Sequence, residues 1–448
     1  MFDAEIRPED TADLTIDAFG PALYDSKTFT LPDFYINDDE GVSCFNQKTD
    51  MLKCISRGDP LPFFEKAGPR KKLFYNPPEV TCGIVTCGGL CPGLNDVIRS
   101  ITLAAIWQYG VKKVLGFRYG YKGVSSKMTH EPIELTPEVV DEIHEKGGTI
   151  LGSSRGPQDV KDQIEILKKY NVNVLFVVGG DGTLRGGHEL ADEAMQQGLD
   201  ISVIGLPKTI DNDIYCCETT FGFSTAVEVA REVIAAAHVE AKSVENGIGL
   251  VKLMGRDSGF IAASAALANS DVNYCLIPEV GFKLYGKNGL LKKLEKRLSY
   301  KKHAVIVVAE GAGQSMFKGE KEKDKSGNVR FNDIGLFLKD KIQEHFIKID
   351  NPVILKYLDP SYSIRSCPAN AFDSSFCVLL GQNAVHAAMA GKTNLMVGHW
   401  NSRFTHVPLD IVFGKRKKLT LGSTLHSSLA SIIETFTVEH DNHLPPFA

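Results

Sequence analysis

In Gly179-Gly180-Asp181-Gly182-Thr183 a single carboxylate sits among glycines at the end of an apolar run, Val174-Leu-Phe-Val-Val178. A magnesium ion bridging phosphate oxygens needs such a ligand, and glycines clear the space a nucleotide fills. There is no GxxxxGK[ST] sequence and no completed GxGxxG, so this is neither a P-loop nor the dinucleotide fingerprint. Further on, Pro207-Lys208-Thr209-Ile210-Asp211-Asn212-Asp213 gathers two carboxylates, a hydroxyl and an amine. A lone DxD is commonly a turn or a surface pair. Beside a phosphate turn it suits a carboxylate that takes a proton from an attacking hydroxyl. A third turn, Gly88-Gly89-Leu90-Cys91-Pro92-Gly93-Leu94-Asn95, opens a helix with small residues that let backbone N–H groups approach an anion. Arg155 in LGSSRG and Arg256 in MGR add the guanidinium groups that a charge-dispersed phosphoryl transition state calls for.

These residues follow short apolar runs, and in open parallel sheets ligands gather beyond the carboxyl ends of the strands. The runs Cys82–Cys87, Val174–Val178 and Ile201–Ile204 alternate with expected helices near 94–107, 158–170 and 187–197. A second series follows, with a helix near 223–240, Ile248–Leu253, a helix from Gly259, Tyr274–Ile277, a helix near 289–299 and Ala304–Val308. The expected fold is α/β, with two Rossmann-like lobes, parallel-rich sheets flanked by helices, and an active site in the cleft between them. Residues 1–79 lack sustained periodicity and read as an N-terminal extension packed along the core. Residues 80–222, with part of 366–448, read as a nucleotide-binding lobe and 223–365 as a sugar-phosphate-binding lobe. The segment 366–448 completes both. The charged stretch 314–333 reads as an exposed loop, and Lys415-Arg-Lys-Lys418 as a solvated basic turn.

The 448 residues exceed one compact core and suit two lobes. A net charge of −5 gives no reason to expect nucleic acid, so any phosphate must meet a local cluster. The ten cysteines lack zinc-like CxxC pairs and read as reduced thiols. The acidic N-terminus has no apolar core, and no run approaches the roughly 20 residues that span a bilayer. No membrane partner is expected, and the cytoplasm is the expected compartment.

The ordered motifs GGxxPGxN, LGSSRG, GGDGT, PKTIDND, MGR and DPSYxIR resemble the phosphofructokinase family over roughly residues 80–420. The chain is most similar to its long ATP-dependent branch, itself related to the pyrophosphate-dependent enzymes. The resemblance implies transfer of the terminal phosphoryl group of ATP, with Mg2+, to the 1-hydroxyl of fructose 6-phosphate. It implies that Gly89, Arg155, Gly156, Gly180, Asp181, Gly182 and Thr183 hold the donor, with Asp181 serving Mg2+. It makes Asp211 the base, supported by Asp213. Thr209, Ile210, Met254, Gly255, Arg256, Glu310, Tyr362, Ser363, Ile364 and Arg365 would line the sugar phosphate, and Arg155 and Arg256 would steady the transferring group.

Two departures stand out against the short bacterial forms. Gly247 replaces an arginine of the sugar site, and Lys356 replaces an arginine that reaches in from a neighbouring subunit, giving a point charge in place of a fork. A homodimer or homotetramer is expected. For the donor, Gly182 replaces an aspartate typical of pyrophosphate enzymes, whereas Lys208 is common in that class; the direct exclusion that an aspartate would exert favours ATP. The alternatives are a pyrophosphate-dependent enzyme, a non-catalytic homologue or regulatory subunit, and an NAD or lipid kinase that shares GGDGT but lacks PKTIDND and MGR.

Overall fold

The computed structural model describes residues 13–27, 34–45, 47–317 and 331–432. A small antiparallel ribbon pairs β1 (Tyr24–Asp25) with β4 (Lys72–Leu73). The main sheet has nine strands in the order β2 (Gly41–Ser43), β3 (Phe63–Lys66), β15 (Arg403–Pro408), β14 (Leu395–Trp400), β9 (Ser202–Pro207), β8 (Val174–Gly179), β5 (Thr81–Thr86), β6 (Lys113–Gly116), β7 (Ile133–Glu134). From β14 to β6 it is parallel; both flanks are antiparallel. A second sheet, wholly parallel, has the order β11 (Tyr274–Leu276), β12 (His303–Ala309), β10 (Gly247–Leu253), β13 (Ile354–Leu358).

Strands β5, β8 and β9 are buried at every residue, which is why they read as unbroken apolar runs. Between strands of the main sheet run α2 (Leu94–Leu103), α3 (Val160–Lys169) and α4 (Asp181–Gln196). Helices α5 (Phe223–Lys242), α6 (Phe260–Leu267), α7 (Leu290–Lys301) and α8 (Ile334–Lys348) serve the smaller sheet, and α10 (Ala371–Met389) crosses α2.

Three elements differ from the sequence reading. Helix α4 starts at Asp181, six residues before the expected helix, because its first turn carries glycines in place of periodic apolar residues. Helix α2 leaves regular α geometry after Leu103, and Ala104–Tyr109 forms a π turn that stops at Gly110. Within the extension, β3 pairs with β15 and β2 pairs with β3, so it widens the main sheet. The extension's sheet strands, of three and four residues, are too short to show a period. In the stretch 314–333, residues 318–330 lie outside the described residues. Gln314 is buried and donates from Nε2 to the carbonyls of Glu310 and Asn332, which ties the two ends of that stretch together.

Candidate active site

The three glycine- and aspartate-bearing turns all leave the carboxyl ends of adjacent strands. Gly88–Asn95 follows β5, the Gly180–Thr183 turn follows β8, and Lys208–Asp213 follows β9. The first is stitched to the LGSSRG segment, with the Gly88 N–H donating to the Ser154 carbonyl (3.0 Å) and Ser153 Oγ to the Gly88 carbonyl (2.6 Å). A methyl group at Gly89 would lie 3.4 Å from Arg155 Nη2 and 3.7 Å from Arg365 Nη1, so both guanidinium groups converge there. Lys208, buried, donates from Nζ to the Gly89 carbonyl at 2.7 Å. Burial lowers the Lys208 ammonium below its ordinary range, with Arg155 pushing the same way. Gly182 opens onto free space: a methyl there would meet nothing within 4 Å.

The Lys208–Asp213 turn is fixed by polar bonds. Asp211 N donates to Thr209 Oγ1 (3.0 Å), and Thr220 Oγ1 to the Thr209 carbonyl (2.7 Å). Asn212 has a left-handed backbone, φ 53°, and its buried amide bonds Thr220 N and the Glu218 carbonyl. On either side of it, Asp211 Oδ1 and Asp213 Oδ1 are buried with no hydrogen-bond partner. Burial drives Asp211 well above the usual carboxylate range, with Asp213 and Glu310 adding repulsion and Arg416 opposing it.

The smaller sheet brings its strand ends to the same cleft. After β10, Gly255 has φ 125°, and a methyl there would fall 2.5 Å from the Ser258 carbonyl. Ser258 Oγ donates to the Asp211 carbonyl at 3.1 Å, joining the MGR turn to the aspartate turn. Arg256 lies over the Phe331 ring, 4.9 Å from its centroid. Glu310 follows β12, and burial raises its carboxyl while Arg256, Lys252 and Arg365 pull it back. Arg365 stacks on the exposed Tyr362. Ser363 donates to the Pro360 carbonyl.

Not every candidate joins the cleft through its side chain. Ile210 and Ile364 are buried in the apolar core and can line a site only through backbone. Thr183 packs onto Gly179. Lys356 points to Glu240 on α5, 3.7 Å away, outside the group that meets Asp211.

The basic run at 415–418 overturns the solvated reading. Arg416 Nη1 meets Asp213 Oδ2 at 2.7 Å, and Lys417 is buried, donating to the carbonyls of Cys217 (2.7 Å) and Glu218 (2.8 Å). Their partners lie about 200 residues earlier, so a local window showed only charge. Lys252, bonded to Asp333 and Asp359, was likewise invisible as a lone lysine on a strand.

The family model described as Phosphofructokinase matches residues 81–388. The chain belongs to the phosphofructokinase family. It is 48% identical over 422 residues to a protein of Borreliella burgdorferi named ATP-dependent 6-phosphofructokinase, covering 91% of this chain and 93% of the relative. A protein of the same name from Trypanosoma brucei brucei is also 48% identical, over 82% of this chain and 76% of its own. The fold is similar to that of a solved pyrophosphate-dependent phosphofructokinase from Nitrosospira multiformis, with TM-score 0.66 over 83% of this chain and 96% of that one. At 20% identity this likeness speaks for the fold alone. Among the described residues no helix is long and apolar enough to cross a membrane.

Proposed function

We propose that this phosphofructokinase takes ATP as donor and fructose 6-phosphate as acceptor, yielding ADP and fructose 1,6-bisphosphate. The carrying observation is the meeting, at the facing strand ends of two sheets, of Asp211, whose Oδ1 is buried without a hydrogen-bond partner, with the Gly89 turn and its two arginines. The names of the relatives that match most of the chain support the same donor and reaction.

In this reading Asp211 takes the proton from the attacking sugar hydroxyl, and its raised affinity for protons suits it to that task. Arg155 and Arg256 offset the charge of the transferring phosphoryl group. The open face at Gly182 admits the α-phosphate and nucleoside. Gly255 and Arg256, with Glu310, Tyr362 and Arg365, form the sugar side, and Lys356 belongs to a neighbouring subunit's site in a homodimer or homotetramer. Mg2+, which bridges and neutralises phosphate oxygens when bound, would be held by Asp181. One carboxylate beside a glycine turn fits that ion, which keeps most of its ligands as water and phosphate. Residues 80–222 with part of 366–448 would bind nucleotide and 223–365 the sugar phosphate, in the cytoplasm.

The second reading, pyrophosphate as donor, draws on Lys208, whose ammonium is fixed at the Gly89 turn. Purified protein assayed with fructose 6-phosphate and either ATP or pyrophosphate separates the two. A kcat/KM higher for pyrophosphate would overturn the ATP reading.

A further inference from the structure

Residues 414–419 form a strap that touches both catalytic turns and then crosses to the smaller sheet. The Gly414 N–H donates to Asp181 Oδ1 at 2.9 Å. Arg416 Nη2 stands 3.9 Å from Asp181 Oδ2, while its Nη1 holds Asp213 Oδ2 at 2.7 Å. The Lys417 N–H donates to the Asp213 carbonyl at 2.9 Å, and an antiparallel bridge pairs Arg416 with Ile214, which fixes the register. Lys417 Nζ lies 5.2 Å from the centre of the Phe260 ring at the start of α6. Leu419 N donates to Glu279 Oε1, which also accepts from the Gly259 N–H.

One guanidinium thus stands between two carboxylates whose turns leave neighbouring strands. Asp213 is 4% exposed, and its second oxygen is buried without a partner. The contacts are unequal, short to Asp213 and long to Asp181, so Asp181 is the carboxylate more easily released. A planar fork can address two acceptors at once, which a lysine ammonium does less well.

We propose that Arg416 is a positioning residue that acts as a built-in cation: it orients Asp213 and competes with the divalent cation for Asp181. This rests on Asp181 serving the metal. The guanidinium screens the two carboxylates from each other in the metal-free site. The strap also joins both sheets at the point where donor and acceptor meet. A divalent cation arriving alone must displace a resident charge, whereas one that brings phosphate oxygens offers Arg416 an alternative acceptor. The chain therefore favours metal bound to nucleotide over free metal.

The test titrates Mn2+ into full-length protein without nucleotide, read by electron paramagnetic resonance, in wild type, Arg416→Met, Arg416→Lys, Asp181→Asn and the Arg416→Met/Asp181→Asn double variant. Arg416→Met should bind Mn2+ about tenfold more tightly, the scale of one charge interaction in a partly solvated cleft. The gain should vanish in the double variant, and kcat of Arg416→Met should fall while the KM for fructose 6-phosphate stays within about twofold. Unchanged Mn2+ affinity in Arg416→Met overturns the inference, provided Asp181→Asn weakens Mn2+ in the presence of ATP. If Asp181→Asn leaves Mn2+–ATP binding unchanged, the metal reading of Asp181 itself is wrong. Should Arg416→Met not fold, Arg416→Lys decides: it should tighten Mn2+ by a smaller factor, and no change overturns the proposal.

Discussion

Asp211 carries two opposed demands. Burial first, then Asp213 and Glu310, raise its proton affinity, which makes the ionised form costly to the fold while catalysis requires that form. Because the folded value exceeds the unfolded one, the unfolded chain loses this proton first, and stability falls as pH rises from the ordinary carboxylate value through the folded one. Asp211→Asn should therefore raise the melting temperature at pH 7, with the gain shrinking towards pH 4. The same substitution should lower kcat on the order of 10² to 10⁴-fold with little change in sugar affinity. A variant with near-normal kcat would remove Asp211 from the base role. The open face at Gly182 makes a second residue decisive. A methyl at Gly182 meets no protein atom, so Gly182→Asp should fold, and its carboxylate would add bulk and like charge beside the α-phosphate, a repulsion that sets specificity by exclusion. The ratio of pyrophosphate to ATP kcat/KM should rise in that variant, and an unchanged ratio would show that donor choice lies elsewhere.

At the level of elements, the donor turn is held by the crossing of α2 and α10. Helix α2 begins directly after Gly93, and Ser100 Oγ donates to the Val378 carbonyl at 2.6 Å. The helices approach closely at Gly381, where a methyl group would lie 2.5 Å from Ser100 Oγ and 3.1 Å from the Ile101 nitrogen. Gly381 lies within α10, so space and not conformation demands glycine. Gly381→Ala should cost roughly 1–3 kcal/mol, the usual penalty for overfilling a packed contact. Chemical denaturation measures it, and wild-type stability would mean that α10 shifts freely. The displacement needed to fit the methyl group would move the Gly88–Asn95 turn, so the KM for ATP should rise along with the loss of stability.

For the whole molecule, the extension is joined to the far end of the chain through charge buried at the sheet edge. Glu65 on β3 takes bonds from Arg70 Nη2 (2.8 Å), Lys392 Nζ (2.9 Å) and His406 Nδ1 (2.8 Å). Burial pushes Glu65 up, yet His406 and Lys392 outweigh it and leave the carboxyl at about 2. Burial lowers His406 below its ordinary range, while its bond to Glu65 pulls it back up. The folded value lies below the ordinary 4.5, so this stabilisation is present above 4.5 and is lost as pH falls towards 2. Glu65→Gln should cost about 1.5–3 kcal/mol at pH 7, because it removes one of the two carboxylates that Arg70 and Lys392 share and leaves them Asp38 alone. The gap between wild type and variant should close between pH 4.5 and 2 in urea titrations. A gap that persists at pH 2 would show that packing, not charge, is lost.

The order of motifs by itself determined the family and the reaction, because each glycine turn and aspartate is a local requirement of phosphate chemistry at a strand end. It also determined the parallel core, since strands buried on both faces must be apolar throughout. Where a feature needs partners far apart in sequence, the sequence was silent. Residues 41–66 join the main sheet only through β15, more than 300 positions later, and that pairing supplies the hydrogen bonds their short apolar stretches could not announce. Arg416 read as a surface charge because a basic run looks the same whether it faces water or a buried aspartate. Only the tertiary structure, by bringing Asp181 and Asp213 to neighbouring strand ends and laying the strap across them, decided that this arginine belongs to the site.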